Sequence, residues 1–292
     1  MDWVRDAGDW PLAGYSTFVE SPPHRWHVQI LGEGPDAVLL HGAGGATQSF
    51  RHLAPLLARR NRVVMMDLPG QGFTRMGTRQ RCGLRPVTED IRALLEKMDV
   101  SPEVIVGHSA GAAIALSLAV DRPLVPVVGI NPALGNFEGA AGWLFPMLAK
   151  ALALTPLVPQ VFARASRTPG RVEGLLASTG SALDPAGTAL YRRLVRDPGH
   201  VEATLLMMAQ WSIDGLLDRL PAIGSPTLFL VGGRDGAVPP KVAALASARM
   251  PDAAVTSFAY EGHLLHETAP CATAEAIAAF LDERVPDQPS RA

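Results

Sequence analysis

Gly107-His108-Ser109-Ala110-Gly111 follows the apolar run Val104-Ile105-Val106 and leads into the small-residue stretch Ala112-Ala113-Ile114-Ala115-Leu116, so this part of the chain reads as strand, sharp turn, helix. That is the setting of a nucleophile elbow: Ser109 stands at the apex with its hydroxyl held in the open, and small neighbours let strand and helix pack closely. The helix that begins there offers free backbone N–H groups and the positive end of its dipole, both suited to an oxyanion. A G-x-S-x-G string arises by chance in a chain with 28 Gly. The strand and helix on either side give it weight.

Outward from the elbow, apolar runs end repeatedly in polar clusters. Residues 26–30 alternate as an early antiparallel strand would, and 37–40 end at His41. Residues 62–66 end at Asp67, 103–106 at the elbow, 125–130 at Asn131, 226–231 at Gly232-Gly233, and 254–260 at Glu261-Gly262-His263. Helical patterns lie near 48–59, 87–98, 110–120, 240–249 and 270–284. Buried strands alternating with helices predict an α/β fold with a mostly parallel, doubly wound sheet, whose sites gather at the carboxyl ends of the strands.

A nucleophilic serine needs a base within hydrogen-bond reach and a group that orients the base. Asp235 fits the acid position, in the tight loop Gly232-Gly233-Arg234-Asp235-Gly236 after a core strand, whereas Asn131, at the comparable place one strand earlier, is no acid. His263 fits the base position, because Gly262 permits the turn that brings an imidazole over the elbow. His266 is the competitor, placed where the next helix begins. His24, His27, His52 and His200 have no such placement and read as structural or surface residues. His41-Gly42-Ala43-Gly44-Gly45 matches a second oxyanion element, with the backbone N–H groups of Ala43 and Ala110 as the expected donors. It lacks the Gly-Lys-Ser/Thr of a phosphate loop and the spacing of a dinucleotide fingerprint. Asp67, in Asp67-Leu68-Pro69-Gly70-Gln71-Gly72, reads as a structural acceptor. No cofactor or metal site is indicated.

Residues 132–222 break the rhythm. Between 139 and 163 the only formal charge is Lys150, among Trp143, Phe145, Leu154, Phe162 and other large apolar residues, while Pro146, Pro156 and Pro159 prevent one long helix. Residues 164–196 then turn basic, with Arg192 and Arg193 among six arginines. This predicts a helical cap over the sheet edge, with Trp143, Phe145, Leu154 and Phe162 lining a pocket and Arg192 and Arg193 at its rim; plain packing of the cap accounts for the same residues. The organisation expected is a core of 1–131 and 223–285, a cap of 132–222, and a disordered tail of 286–292.

The 292 residues carry 26 Lys+Arg against 28 Asp+Glu, so no basic field points to nucleic acid. Arginine outnumbers lysine 23 to 3, a coding bias more than a binding signal. Cys82 and Cys271 make no framework, which with the absence of a basic-then-apolar leader at 1–6 predicts a cytoplasmic, reducing setting.

With these pieces in order, residues 15–285 resemble the alpha/beta-hydrolase superfamily with a cap between strands 6 and 7. The nearer resemblance is to the BchO family of magnesium-chelatase accessory proteins. It is carried by the elbow through Ile114, by Leu152-Ala153-Leu154-Thr155-Pro156-Leu157-Val158-Pro159, by Leu190-Tyr191-Arg192-Arg193-Leu194 with Pro198-Gly199-His200-Val201, and by Gly262-His263-Leu264-Leu265-His266-Glu267. The resemblance implies a role at or near magnesium insertion into protoporphyrin IX in bacteriochlorophyll biosynthesis, with magnesium chelatase subunits as partners. It implies no particular substrate. Gln71 departs from the His that many hydrolases carry in this turn. Two functions are expected: a serine hydrolase acting on an ester-like bond of a large apolar molecule, for which the resemblance points to a tetrapyrrole, and a porphyrin-binding or chaperone-like factor that needs no turnover. Dehalogenase and epoxide hydrolase chemistry, which needs Asp at the elbow, is disfavoured. Contact of the cap with a membrane surface stays open.

Overall fold

Alternate residues of the strands point to opposite faces, and both faces are covered. In the computed structural model, which describes residues 1–122, 124–135, 155 and 157–284, Ala37 and Leu39 join one buried cluster, while Val38 and Leu40 join another. Among the described residues eight strands form the sheet: β1 Ser16–Ser21, β2 His24–Leu31, β3 Asp36–Leu40, β4 Arg62–Met66, β5 Pro102–His108, β6 Val127–Ile130, β7 Thr227–Gly232 and β8 Ala253–Phe258. Their order is β1-β2-β4-β3-β5-β6-β7-β8, with β2 antiparallel to both neighbours and β3 to β8 parallel.

The helices Leu84–Lys97 and Ala110–Ala119 pack on one face through Val87, Ile91, Leu94 and Ile114, and the helices Leu53–Leu57 and Pro270–Arg284 on the other through Leu53, Ala54, Ile277 and Phe280. Each such aliphatic side chain removed from water contributes about 1.5–3 kcal/mol, which is what holds both layers to the sheet.

Two elements differ from the sequence expectation for reasons of proline chemistry. The pattern near 48–59 is a 3-10 turn, Thr47–Phe50, followed by Leu53–Leu57. A continuous helix would have put Pro55 in its interior, where the ring collides with the carbonyl of Arg51. Conversely, the helix expected from 87 starts at Leu84, because Pro86 falls in the first turn, where no N–H is needed. Strand β1 was not anticipated; it is an edge strand with little burial.

Between β6 and β7 the chain leaves the sheet. The described part of this insertion is helical: Val158–Ala165, Arg171–Ser178, Pro185–Arg196, Pro198–Gln210 and Asp214–Leu217. Asp184 and Asp197 cap two of these helices by accepting from the N–H of Gly187 and His200, each with proline at the first helical position. Trp143, Phe145, Leu154 and the tail 286–292 lie outside the described residues.

Candidate active site

The elbow forms as its sequence requires. Ser109 has φ 53° and ψ −115°, one of four non-glycine residues with positive φ among those described, a conformation that costs about 1–3 kcal/mol and is held by its surroundings. Its N–H donates to the Ile130 carbonyl at 2.9 Å, and its carbonyl accepts from the N–H groups of Ala112 and Ala133, each at 3.1 Å. A Cβ on Gly111 would collide with the Leu40 carbonyl oxygen, so only glycine lets the helix sit this close to β3.

Asp235 follows β7. Its Oδ1 accepts from the N–H groups of Ala237 at 2.7 Å and Val238 at 2.8 Å, while Oδ2 lies 2.7 Å from Nδ1 of His263. The carboxylate accepts, so Nδ1 carries the proton and Nε2 is left with a lone pair. The Asp235 side chain is 1% exposed and that of His263 10%. Of the two histidines in this loop, Asp235 holds His263. The His266 ring is fully buried on Phe50 and His108, with centroid separations of 5.3 and 4.3 Å, and neither of its nitrogens has a partner among the described residues. Burial pushes His266 down to about 3, so it stays neutral.

His108, within the elbow, donates from Nε2 to the His263 carbonyl at 2.9 Å, and its ring lies 4.7 Å from that of His263. Burial takes His108 well below its ordinary value. Ser109 is thus one residue from a direct contact with His263. Among the described residues no hydrogen bond joins Ser109 Oγ to His263, and such bonds commonly tighten only with substrate in place.

Asn131, set aside in the sequence as no acid, cross-links the end of β7 to the loop after β8. In the left-handed region at φ 45°, it accepts the Gly232 N–H at 2.7 Å and donates to the carbonyls of Gly262 at 3.0 Å and His263 at 2.8 Å. The clue to it was position at a strand end combined with the tolerance of Asn for this conformation.

The loop after β3 is built to present one N–H. The Gly42 carbonyl accepts from His41 Nδ1 at 2.8 Å and from the Gly45 N–H at 3.0 Å, while His41 Nε2 accepts from Leu68 N–H at 2.9 Å. A trans peptide points its C=O and N–H in opposite directions, so anchoring the Gly42 carbonyl turns the Ala43 N–H outward. Neither that N–H nor the Ala110 N–H at the start of its helix has a partner among the described residues. Gln71 and His200, to which the sequence assigned no role, also contact this loop. Asp67 accepts from Thr47 and Phe73 N–H groups and pairs with His27 at 2.7 Å. Burial alone would raise its pKa, but His27 and these bonds hold it at about 2, as befits a structural acceptor.

Phe162 stands 44% exposed on helix Val158–Ala165, beside exposed Leu157 and Val161. Arg192 is paired with Glu173, and Arg193 bonds Asp9 at 2.5 Å and the Asp6 carbonyl while lying over the Trp10 ring. Both arginines are engaged by this chain's own oxygens.

Residues 38–270 match the family profile described as the alpha/beta hydrolase fold, and the chain belongs to that family. Its relatives narrow the likeness. The chain is 43% identical over 263 residues to the magnesium-chelatase 30 kDa subunit of Rhodobacter capsulatus, covering 89% of this chain and 92% of that one, which bears out the nearer resemblance. It is 31% identical to the pimeloyl-[acyl-carrier protein] methyl ester esterase of Stenotrophomonas maltophilia, over 81% of this chain and 89% of that one. An alpha/beta hydrolase fold protein from Burkholderia ambifaria superposes with a TM-score of 0.70 at 23% identity, over 90% and 99% of the two chains, a likeness of fold.

Proposed function

We propose that the chain is a serine hydrolase that cleaves an ester-like bond of a large apolar substrate, with Ser109, His263 and Asp235 as its triad. The observation that carries this reading is the 2.7 Å bond from His263 Nδ1 to Asp235 beside a strained serine at the elbow. Ser109 Oγ attacks the carbonyl carbon as its proton passes to His263 Nε2; the resulting oxyanion is held by the N–H groups of Ala43 and Ala110. Collapse expels the alcohol, which takes the proton from Nε2. Water then attacks the acyl-serine, again giving its proton to His263, and the acid leaves as Ser109 Oγ takes that proton from Nε2. Each oxyanion donor supplies on the order of 10²–10³ in rate.

The insertion 132–222 serves as the cap over this site. A cytoplasmic role at magnesium insertion into protoporphyrin IX in bacteriochlorophyll biosynthesis belongs to this reading, and its link to magnesium chelatase is supported by the 43% identity to a protein named as a magnesium-chelatase subunit. Among the described residues no helix is long and apolar enough to cross a membrane. A fluorophosphonate probe should label Ser109, and Ser109→Ala should abolish labelling. Failure of well-folded protein to react would move the reading to a porphyrin-binding accessory factor that performs no hydrolysis.

A further inference from the structure

Helix Pro198–Gln210 of the insertion packs against the loop after β3 and the turn after β4. Its residues His200, Ala203, Thr204 and Met207, spaced i, i+3, i+4 and i+7, share one face, and each meets the loop 41–45 or the turn 67–72. His200 Nε2 donates to the Gly44 carbonyl at 3.1 Å, and His200 Nδ1 accepts from the Gly72 N–H at 3.1 Å. Gln71 Oε1 accepts the Gly44 N–H at 2.7 Å, and Gln71 Nε2 lies 3.3 Å from Met207 Sδ. A Cβ on Gly70 would stand 2.6 Å from Ala203 Cβ, and one on Gly44 3.5 Å from Thr204 Cγ2.

Gly44 is therefore tied at both its N–H and its C=O, in a left-handed conformation at φ 78°. It directly follows Ala43. One imidazole can donate to Gly44 and accept from Gly72 only as the neutral Nε2–H tautomer. Burial, the main cause, pushes His200 down to about 4, which keeps that tautomer in place at neutral pH.

From this geometry we infer that His200 and Gln71 are positioning residues that couple the seat of helix Pro198–Gln210 to the aim of the Ala43 N–H. The inference rests on the serine-hydrolase reading and adds to it a link by which the cap governs the oxyanion hole. An oxyanion donor works only within about 2.7–3.1 Å of the developing charge; the Gly42–Ala43 peptide that carries the Ala43 N–H adjoins the Ala43–Gly44 peptide whose N–H Gln71 holds, so freeing Gly44 lets the donor turn away.

The test uses the full chain, p-nitrophenyl butyrate as probe substrate, and a trifluoromethyl ketone whose adduct with Ser109 places an oxyanion in the hole. His200→Phe should lower kcat by about tenfold or more with KM changed less than about twofold, and should weaken the ketone by the same factor as kcat/KM. His200→Asn, which keeps an acceptor near Gly72 but loses the donor to Gly44, should behave likewise and serves if His200→Phe does not fold. His200→Gln, which restores an Nε2 donor, should recover most of the rate. Unchanged ketone affinity in folded variants, or a loss confined to KM, overturns the coupling while leaving the hydrolase reading intact. A folded wild type that neither turns over the ester nor binds the ketone overturns both.

Discussion

Asn131 Nδ2 sits 2.8 Å from the carbonyl of His263, so the loop that carries the proposed base after β8 is held by a residue at the end of β6, two strands away in the sheet. The base is placed by its backbone as well as by its carboxylate partner.

Removing that amide should loosen the loop. Asn131→Ala leaves the Gly232 N–H without its acceptor and the Gly262 carbonyl without its Asn131 donor, and should lower unfolding free energy by about 1–3 kcal/mol in a urea titration, with a fall in ester turnover. Asn131→Gly, which suits positive φ, should recover part of the stability and none of the turnover.

The orientation of His263 depends on Asp235. Asp235→Asn can offer its amide N–H to Nδ1 and so favours the tautomer with the proton on Nε2. Turnover of p-nitrophenyl butyrate should fall by about 10⁴ with an unchanged far-ultraviolet circular dichroism spectrum. Retention of more than a tenth of the rate would refute the acid assignment.

His266 and His200 should give stability a pH slope. Their folded values, about 3 and about 4, lie below the ordinary 6.5, so between pH 6.5 and those values the unfolded chain binds protons that the folded chain refuses. Their contribution is full above about 6.5 and is lost as pH falls. His266→Phe should flatten this slope, and because it replaces unpartnered buried nitrogens it should raise stability at pH 7 by about 1 kcal/mol, read from denaturation midpoints. Activity should persist, since Asp235 holds His263.

Gly180 has φ 75°, and a Cβ there would collide with the Arg234 carbonyl oxygen, next to Asp235. Gly180→Ala should destabilise the chain by about 2 kcal/mol or more and depress kcat, measured by thermal unfolding and ester hydrolysis. Gly174→Ala, on the same insertion with open space around it, should do neither.

What the sequence made legible was whatever is local. Strands β3 to β7 are short apolar runs ending in glycine or polar clusters; the elbow and Asp235 each stand at such an end, and His263 follows β8 in the loop Glu261-Gly262-His263. The parts that escaped it depend on contacts between distant segments. His200 reaches Gly44 across 156 positions and Gly72 across 128, and nothing near Pro198-Gly199-His200 signals a partner. Strand β1 has mixed exposure because it is an edge, so it lacks the alternation that marks a half-buried strand. Arg192 and Arg193 read as rim residues because composition says nothing of which acid faces them; in the fold Glu173 and Asp9 face them.

The carbonyl of Thr179 accepts the His263 N–H at 3.0 Å and the Gly236 N–H at 3.2 Å, and Ser181 Oγ accepts the Leu264 N–H at 2.8 Å. The insertion thus supplies part of the floor on which the loops of Asp235 and His263 rest. For anyone building chimeras, this sets where a graft can stop. Exchanging 132–222 as a block would bring a foreign peptide beneath both loops, whereas a crossover before Arg171 leaves the native 179–181 seam in place.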